Sequence, residues 1–285
     1  MAPARPALAG RAFAISGRVA RSALAPAVRR ARRELQWRRS GAVRRLTPGS
    51  AAAVPHQVTH HATPLFRDLA GLDQQLQRNK VVNLGLAIRR LDGILLPPGG
   101  TFSFWRHVGA PRARRGYVDG LVLDHGQLTA AVGGGMCQLT NLLYWMTLHT
   151  PLTVVERWRH SYDVFPDAGR TQPFGSGATC AWPVLDLQVA NRTSATFRLA
   201  LGLTDTHLEG AWTSDRPMPS RYEIYEAQHV VTNDAPGVFQ RHNVIRRRVL
   251  DLAGHETGDE LVTANQALLM YQPFLEAGRG PDADH

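Results

Sequence analysis

Three consecutive glycines, Gly133, Gly134 and Gly135, lead through Met136 into Cys137 and Gln138, and the cysteine opens an apolar stretch from Leu139 to Leu148. A Gly-rich turn running into a helix leaves backbone N–H groups unpaired and facing outward. It also places the positive end of the helix dipole at the cysteine sulfur, which lowers the thiol pKa and favours the nucleophilic thiolate. The Gln138 N–H and the amides of Gly133, Gly134 and Gly135 are then candidates for an oxyanion hole, and the missing Cβ atoms leave room for a substrate. The competing reading is a tight turn followed by a buried cysteine packed as a small apolar side chain.

A second chemical segment lies downstream, Glu156-Arg157-Trp158-Arg159-His160-Ser161, at the end of a predicted strand. Cysteine at a helix N-terminus followed by histidine on a strand is the order used by papain-like and transglutaminase-like thiol enzymes. There the histidine takes the thiol proton and a third polar group fixes the imidazole tautomer. The sequence thus nominates Cys137 as nucleophile and His160 as base, against a strand-end histidine bonded to backbone. Arg157 and Arg159 are candidates for binding a carboxylate or phosphate, against a solvated strand face. His56, His60 and His61 have spacing that a metal can use, but a further ligand at a set distance is missing, so no metal site is assigned. Gly99-Gly100 lacks the lysine and spacing of a phosphate loop, and no cofactor is assigned.

These residues need elements to hold them. Leu76, Lys80, Leu84, Ile88 and Leu91 form one helical stripe, closed by Asp92-Gly93. Leu95 to Trp105 reads as a loop running into an aromatic strand. Tyr117–Leu123 and Gln127–Val132 read as a strand pair around Asp124-His125-Gly126. Leu152–Trp158 is β-branched and strand-like. Val184–Ala190 and Thr196–Leu203 both alternate, with Asn191–Ser194 as the turn between them. Val244–Leu252 and Glu260–Thr263 suggest a late hairpin. The expected architecture is α+β, with a largely antiparallel sheet packed on a central helix that starts at the Gly133–Gln138 loop.

The chain has 285 residues, 44% of them apolar, which is enough for a sizeable core. No uncharged apolar run reaches the roughly 18 residues of a membrane span. The N-terminus lacks an apolar block followed by a cleavage site, so no secretory signal is read. The expected location is cytoplasmic, peripheral to a membrane, with Cys137 and Cys180 as reduced thiols. The net charge of +10 is local: residues 1–50 hold twelve arginines and one glutamate, and the remainder is nearly neutral. Residues 1–51 are expected to form a peripheral basic segment, 52–276 the domain, and 277–285 a disordered tail. The basic segment suits an anionic membrane surface. Without interleaved aromatics or a recognition motif, it does not suit specific nucleic-acid binding.

Five segments together resemble the VanW family: Asn79-Lys80-Val81-Val82-Asn83-Leu84, Pro98–Phe104, Gly133–Leu139, Glu156-Arg157 through His160, and Asp186-Leu187 leading to Asn191. The resemblance is strong over residues 72–204. It implies association with glycopeptide resistance or cell-wall stress, and a peptide or amide ligand linked to the cell wall. It supplies no reaction. The sequence leaves two functions open, a Cys/His thiol enzyme for acyl transfer or amide hydrolysis and a non-catalytic accessory that binds a ligand or partner. One departure bears on the choice. The family pattern carries an Asp before Ala178-Thr179, where this chain has Gly177. A Cys-His-Asp arrangement would draw its third member from that position.

Overall fold

The structure is a computed structural model, and it describes residues 25–42, 46–66, 73–124, 127–163 and 172–271. The chain opens with α1 (25–39), β1 (His56–Pro64), α2 (Gln74–Leu91), β2 (Leu95–Leu96), β3 (Thr101–Ser103) and α3 (Phe104–Val108). It continues with β4 (Asp119–Asp124), β5 (Gln127–Val132), α4 (Met136–Leu148), β6 (Thr153–Glu156), β7 (Tyr162–Asp163), β8 (Gln188–Ala190) and β9 (Phe197–Leu203). It ends with β10 (His207–Ser214), β11 (Arg221–Ala235), β12 (Val238–Leu250) and β13 (Glu256–Leu269).

The apolar run after Cys137 does form the central helix, α4. Met136, Leu139, Leu142, Leu143, Tyr144, Met146 and Leu148 are all buried, and these positions cover nearly every face of the helix. A helix apolar all round belongs inside a core. Each fully buried leucine contributes roughly 1.5–3 kcal/mol. One face of α4 lies on the antiparallel sheet β1-β10-β9-β2, whose Trp212, Phe197, Leu199 and Leu208 are fully buried. Helix α2 packs beside it on β9 and on the β4–β5 hairpin. A second sheet, β3-β8-β6, is also antiparallel. The long meander β11-β12-β13 makes the third, with β7 added in parallel at its edge. The α+β class and the largely antiparallel pairing match the expectation. The strands divide among several sheets rather than forming one.

Three local expectations are corrected. Phe104 and Trp105 begin the short helix α3 rather than extending a strand, because Ser103 Oγ accepts the Arg106 N–H at 3.1 Å and caps a turn. The strands β8 and β9 flank Asn191–Ser194 but lie in different sheets. Fully buried Asn191 pins that crossing by donating to the carbonyls of Leu96 (2.9 Å) and Ala195 (2.7 Å). The late hairpin is much longer than its apolar pattern suggests, and β11 joins it as a third strand. The turn at His125-Gly126 and the tail at 277–285 lie outside the described residues.

The basic N-terminal segment is the largest correction. Among the described residues it is anchored in the core through Arg33, Trp37, Ala42 and Leu46 rather than lying peripheral to it. Trp37 on α1 is 4% exposed, and its Nε1 donates to Asp186 Oδ2 at 2.8 Å. Arg33, one turn earlier, is 3% exposed and donates to Glu156 Oε2 (2.7 Å), to the Pro183 carbonyl (2.7 Å) and to the Val184 carbonyl. Ala42 and Leu46 join the same core. The segment looks weakly patterned because half of its buried stripe is an arginine, which a hydropathy reading assigns to solvent. Arg29, Arg30, Arg32, Arg38 and Arg39 do face outward. No helix among the described residues is long and apolar enough to cross a membrane.

Candidate thiol site

Cys137 lies in the first turn of α4, and the residues that place it there come from three directions. The first is α2. Asn83 is fully buried, donates from Nδ2 to the carbonyls of Gly134 (2.9 Å) and Val118 (3.0 Å), and accepts the Val118 N–H at 3.0 Å. Asn79 Nδ2 donates to the Asp119 carbonyl at 2.7 Å. Lys80, the only lysine in the chain, lays its aliphatic stem over Gly135 and donates from Nζ to the Leu65 carbonyl. The segment Asn79–Asn83 is therefore the cradle of the glycine loop.

The second is the loop itself. Gly135 is the N-cap residue of α4 and has φ 93°, a left-handed conformation that favours glycine. Gly134 is required for close approach, since a Cβ there would collide with the carbonyl of Gly120 in β4. The Gly133 N–H donates to Val118, and the Gly134 N–H to Ala131. The Gln138 N–H donates to the Gly135 carbonyl at 3.1 Å. These three amides are therefore occupied within the loop, which corrects their assignment to an oxyanion hole. The Gln138 side chain is an anchor, donating from Nε2 to Thr63 Oγ1 and to the Pro64 carbonyl, both at 2.8 Å. Among the described residues, no acceptor meets the N–H groups of Gly135, Met136 and Cys137. Of the amides the sequence nominated, only that of Gly135 is thus left, with those of Met136 and Cys137, to face an incoming anion.

The third is the segment 175–180, which the sequence brought to the site only through Gly177. The Thr179 N–H donates to the Trp158 carbonyl at 2.7 Å in an antiparallel bridge. Asn141 Oδ1 accepts the Ala178 N–H (2.7 Å), and Thr140 Oγ1 donates to the Ala178 carbonyl (2.6 Å). Thus two α4 residues just after Cys137 grip the segment that carries Cys180. Cys137 Sγ donates to the Cys180 carbonyl at 3.7 Å, and both cysteines are free thiols. The Cys180 side chain and the His160 ring lie close enough to the Cys137 thiol to draw its pKa down. So the structure brings Cys137 and His160 together, and it adds Cys180.

The electrostatics separate the two sulfurs. Hydrogen bonding from the Cys180 thiol, and after it from His160, holds the Cys137 thiol well below its ordinary range, against the opposing effect of burial. The helix N-terminus acts in the same direction. Burial pushes the Cys180 thiol well above its ordinary range, and the neighbouring Cys137 adds to that. Cys137 is therefore the more acidic thiol of the pair.

The arginines take different places. Arg157 is an internal strut, donating to the carbonyls of Gly177 (2.9 Å) and Gly175 and to Thr263 Oγ1 (3.3 Å), with its guanidinium 4.8 Å from the Tyr144 ring centroid. It is not available to a ligand, which corrects that assignment. Arg159 donates only to the His160 carbonyl at 3.2 Å among the described residues, and remains next to the site. The isolated Trp158–Thr179 bridge runs the segment that carries Gly177 antiparallel to the one that carries His160. A Cβ at Gly177 would lie 2.6 Å from Asn141 Oδ1. Among the described residues no carboxylate pairs with His160. Asp186 is no substitute, because its oxygens accept from Trp37, Ser103 and the Trp105 N–H. Asp163 is paired with Arg241 at 3.5 Å. His56 and His60 lie on β1, as does His61, which meets Gln172 at 2.8 Å. Among the described residues no cluster of metal-ligating side chains forms.

Fold and site together define an α+β protein organised around a helix-terminal thiol, held by a glycine loop and an asparagine-bearing helix. The chain belongs to the VanW family. The family model described as "VanW like protein" matches residues 79–213, an interval that contains Asn83, Cys137, His160 and Cys180. The chain is 34% identical over 218 residues to the vancomycin B-type resistance protein VanW of Enterococcus faecalis, covering 76% of this chain and 79% of that protein. It is 30% identical over 110 residues to the uncharacterized protein YoaR of Bacillus subtilis, covering 39% of this chain and 35% of that protein. No solved structure matches the chain.

Proposed function

We propose that this protein acts in vancomycin resistance, or in the cell-wall stress that accompanies it, through thiol-dependent acyl transfer or amide hydrolysis. The observation that carries the reading is the Cys137 thiol at the N-terminus of α4, with His160 near enough to help hold it below its ordinary range. His160 takes the thiol proton, and the sulfur adds to the carbonyl carbon of a peptide or amide of cell-wall origin. The oxyanion that forms is met by the N–H groups of Met136 and Cys137. The imidazolium returns its proton to the departing nitrogen, leaving a thioester on Cys137. Water activated by His160, or an acceptor amine, then releases the acyl group. Arg159 is the cation beside the site suited to a substrate carboxylate. The outward arginines of α1, with Val28 and Leu35 exposed among them, suit contact with an anionic membrane at the cytoplasmic face.

A mixture of peptidoglycan-derived peptides, acid quench and intact-mass analysis tests the chemistry. An acyl adduct should map to Cys137, vanish in Cys137→Ala and form more slowly in His160→Ala. No adduct in wild type, under conditions where Cys137 still alkylates readily, overturns the enzyme reading. A second reading, a ligand-binding accessory without chemistry, is favoured by the lack, among the described residues, of a carboxylate paired with His160. In that case the same peptides bind with equal affinity to wild type and Cys137→Ala.

A further inference from the structure

The acyl-transfer reading leaves Cys180 without work, yet it is held against Cys137 by an elaborate set of bonds. Thr140 and Asn141 on α4 and the Trp158 carbonyl fix residues 178 and 179, so the next residue is delivered to the first turn of the helix. The two cysteines are 43 positions apart in sequence, and Cys137 Sγ lies 3.7 Å from the Cys180 carbonyl oxygen. Their exposures differ. Cys137 is partly accessible, whereas Cys180 is 8% exposed. An oxidant arriving from solvent therefore meets Cys137 first. A sulfenic acid formed there has a second thiol on the very residue its sulfur touches.

We propose that Cys137 and Cys180 are a reversible oxidation site, with Cys137 as the oxidised thiol and Cys180 as its resolving partner. The Cys137 thiolate attacks a hydroperoxide oxygen, the O–O bond breaks, and the alcohol or water leaves after taking a proton. Cys137 is then a sulfenic acid. The Cys180 thiol attacks that sulfur, the S–O bond breaks, and water leaves with the Cys180 proton, giving the Cys137–Cys180 disulfide. Thiol–disulfide exchange with a dithiol reductant restores both thiols. Closure removes the sulfur on which acyl transfer depends, so the site works only when reduced. The pair requires a reactive Cys137 but no acyl chemistry.

The test uses the full reduced chain, a small excess of hydrogen peroxide, then alkylation by N-ethylmaleimide in urea, where both thiols are open, and peptide mapping without reduction. Wild type should lose alkylation at both cysteines together and yield a peptide pair linked through Cys137 and Cys180. Dithiothreitol should restore both. Cys180→Ser should instead accumulate a dimedone adduct at Cys137, and Cys137→Ser should leave Cys180 reduced. Oxidation of wild-type Cys137 to sulfinic acid or to an intermolecular disulfide, with Cys180 still alkylated, overturns the proposal without recourse to any variant. A linked pair with no acyl adduct in the peptide experiment retains the oxidation site and removes the enzyme. An acyl adduct without a linked pair does the reverse.

Discussion

Asn83 donates to the Gly134 carbonyl at 2.9 Å from a fully buried position on α2. With its two bonds to Val118, one side chain ties the helix, the start of the β4–β5 hairpin and the loop before Cys137 into one unit. The direction of the α4 N-terminus, and with it the environment of the thiol, is therefore set from a different helix. Asn83→Leu is close in size but leaves two carbonyls and one N–H unsatisfied. Stability should fall by about 2–4 kcal/mol, at 1–3 kcal/mol for each group left buried and unpaired, reduced by partial relaxation. The iodoacetamide labelling rate of Cys137 should fall with it. Urea unfolding and labelling followed by mass spectrometry measure both. A destabilised variant that labels at the wild-type rate would show that the loop does not shape the thiol.

The two thiols should titrate apart. Cys137 is held below its ordinary range and Cys180 above it. Alkylation of native protein at neutral pH should modify Cys137 and spare Cys180, and the Cys137 rate should level off at a lower pH than either thiol shows in urea. The linked stability has a defined sign. Folded Cys137 binds fewer protons than unfolded Cys137, so its contribution is present above the unfolded thiol pKa and lost as pH falls through the folded value. Cys180 has the opposite sign, and its contribution is lost as pH rises past the unfolded value. The unfolding free energy of wild type relative to Cys137→Ser should thus increase with pH. Equal labelling of the two cysteines would remove the nucleophile assignment.

The sequence exposes what is local. The glycine run, the apolar stretch after Cys137 and the stripe of α2 announce themselves through spacing and periodicity, and α4 and α2 follow closely. His160 is legible through chain order. Cys180 is not, because only the Trp158–Thr179 bridge and the grip of Thr140 and Asn141 bring it to the sulfur. As the chain's only other cysteine, it was the available signal. Arg157 looked like a ligand-binding cation because a sequence does not display the carbonyls of Gly175 and Gly177 that occupy it. Arg33 was hidden for a related reason, since a buried arginine reads as surface until its acceptors are known.

The glycines before Cys137 have different duties, and their alanine variants should differ. Gly135→Ala meets a positive φ and the movable stem of Lys80, so a cost of roughly 1–2 kcal/mol is expected. Gly134→Ala meets the backbone of Gly120, which cannot swing aside without shifting β4. Its cost should be the larger, up to about 3 kcal/mol as in overpacked cores. Thermal melts should rank the two in that order, and both should slow Cys137 labelling. Equal stability of Gly134→Ala and wild type would mean that the loop and β4 do not approach this closely.

Truncation separates the two parts of the basic N-terminus. A chain starting at residue 51 loses Trp37 and its bond to buried Asp186, as well as Arg33 and its pairing with Glu156, where the two side chains are 4% and 19% exposed. Removing one partner of a buried ion pair costs about 3–5 kcal/mol, and a buried tryptophan a similar amount. Such losses are comparable to the whole stability of an ordinary domain. This protein should fail to show a cooperative melt. A chain starting at residue 25 retains α1 and should melt like the full chain. Arg33→Met, which keeps the volume of the stem but leaves Glu156 without its cation, should fall between them. If the chain starting at residue 51 melts at the full-length temperature, then α1 is a detachable arm and its bonds to Asp186 and Glu156 contribute nothing to the fold.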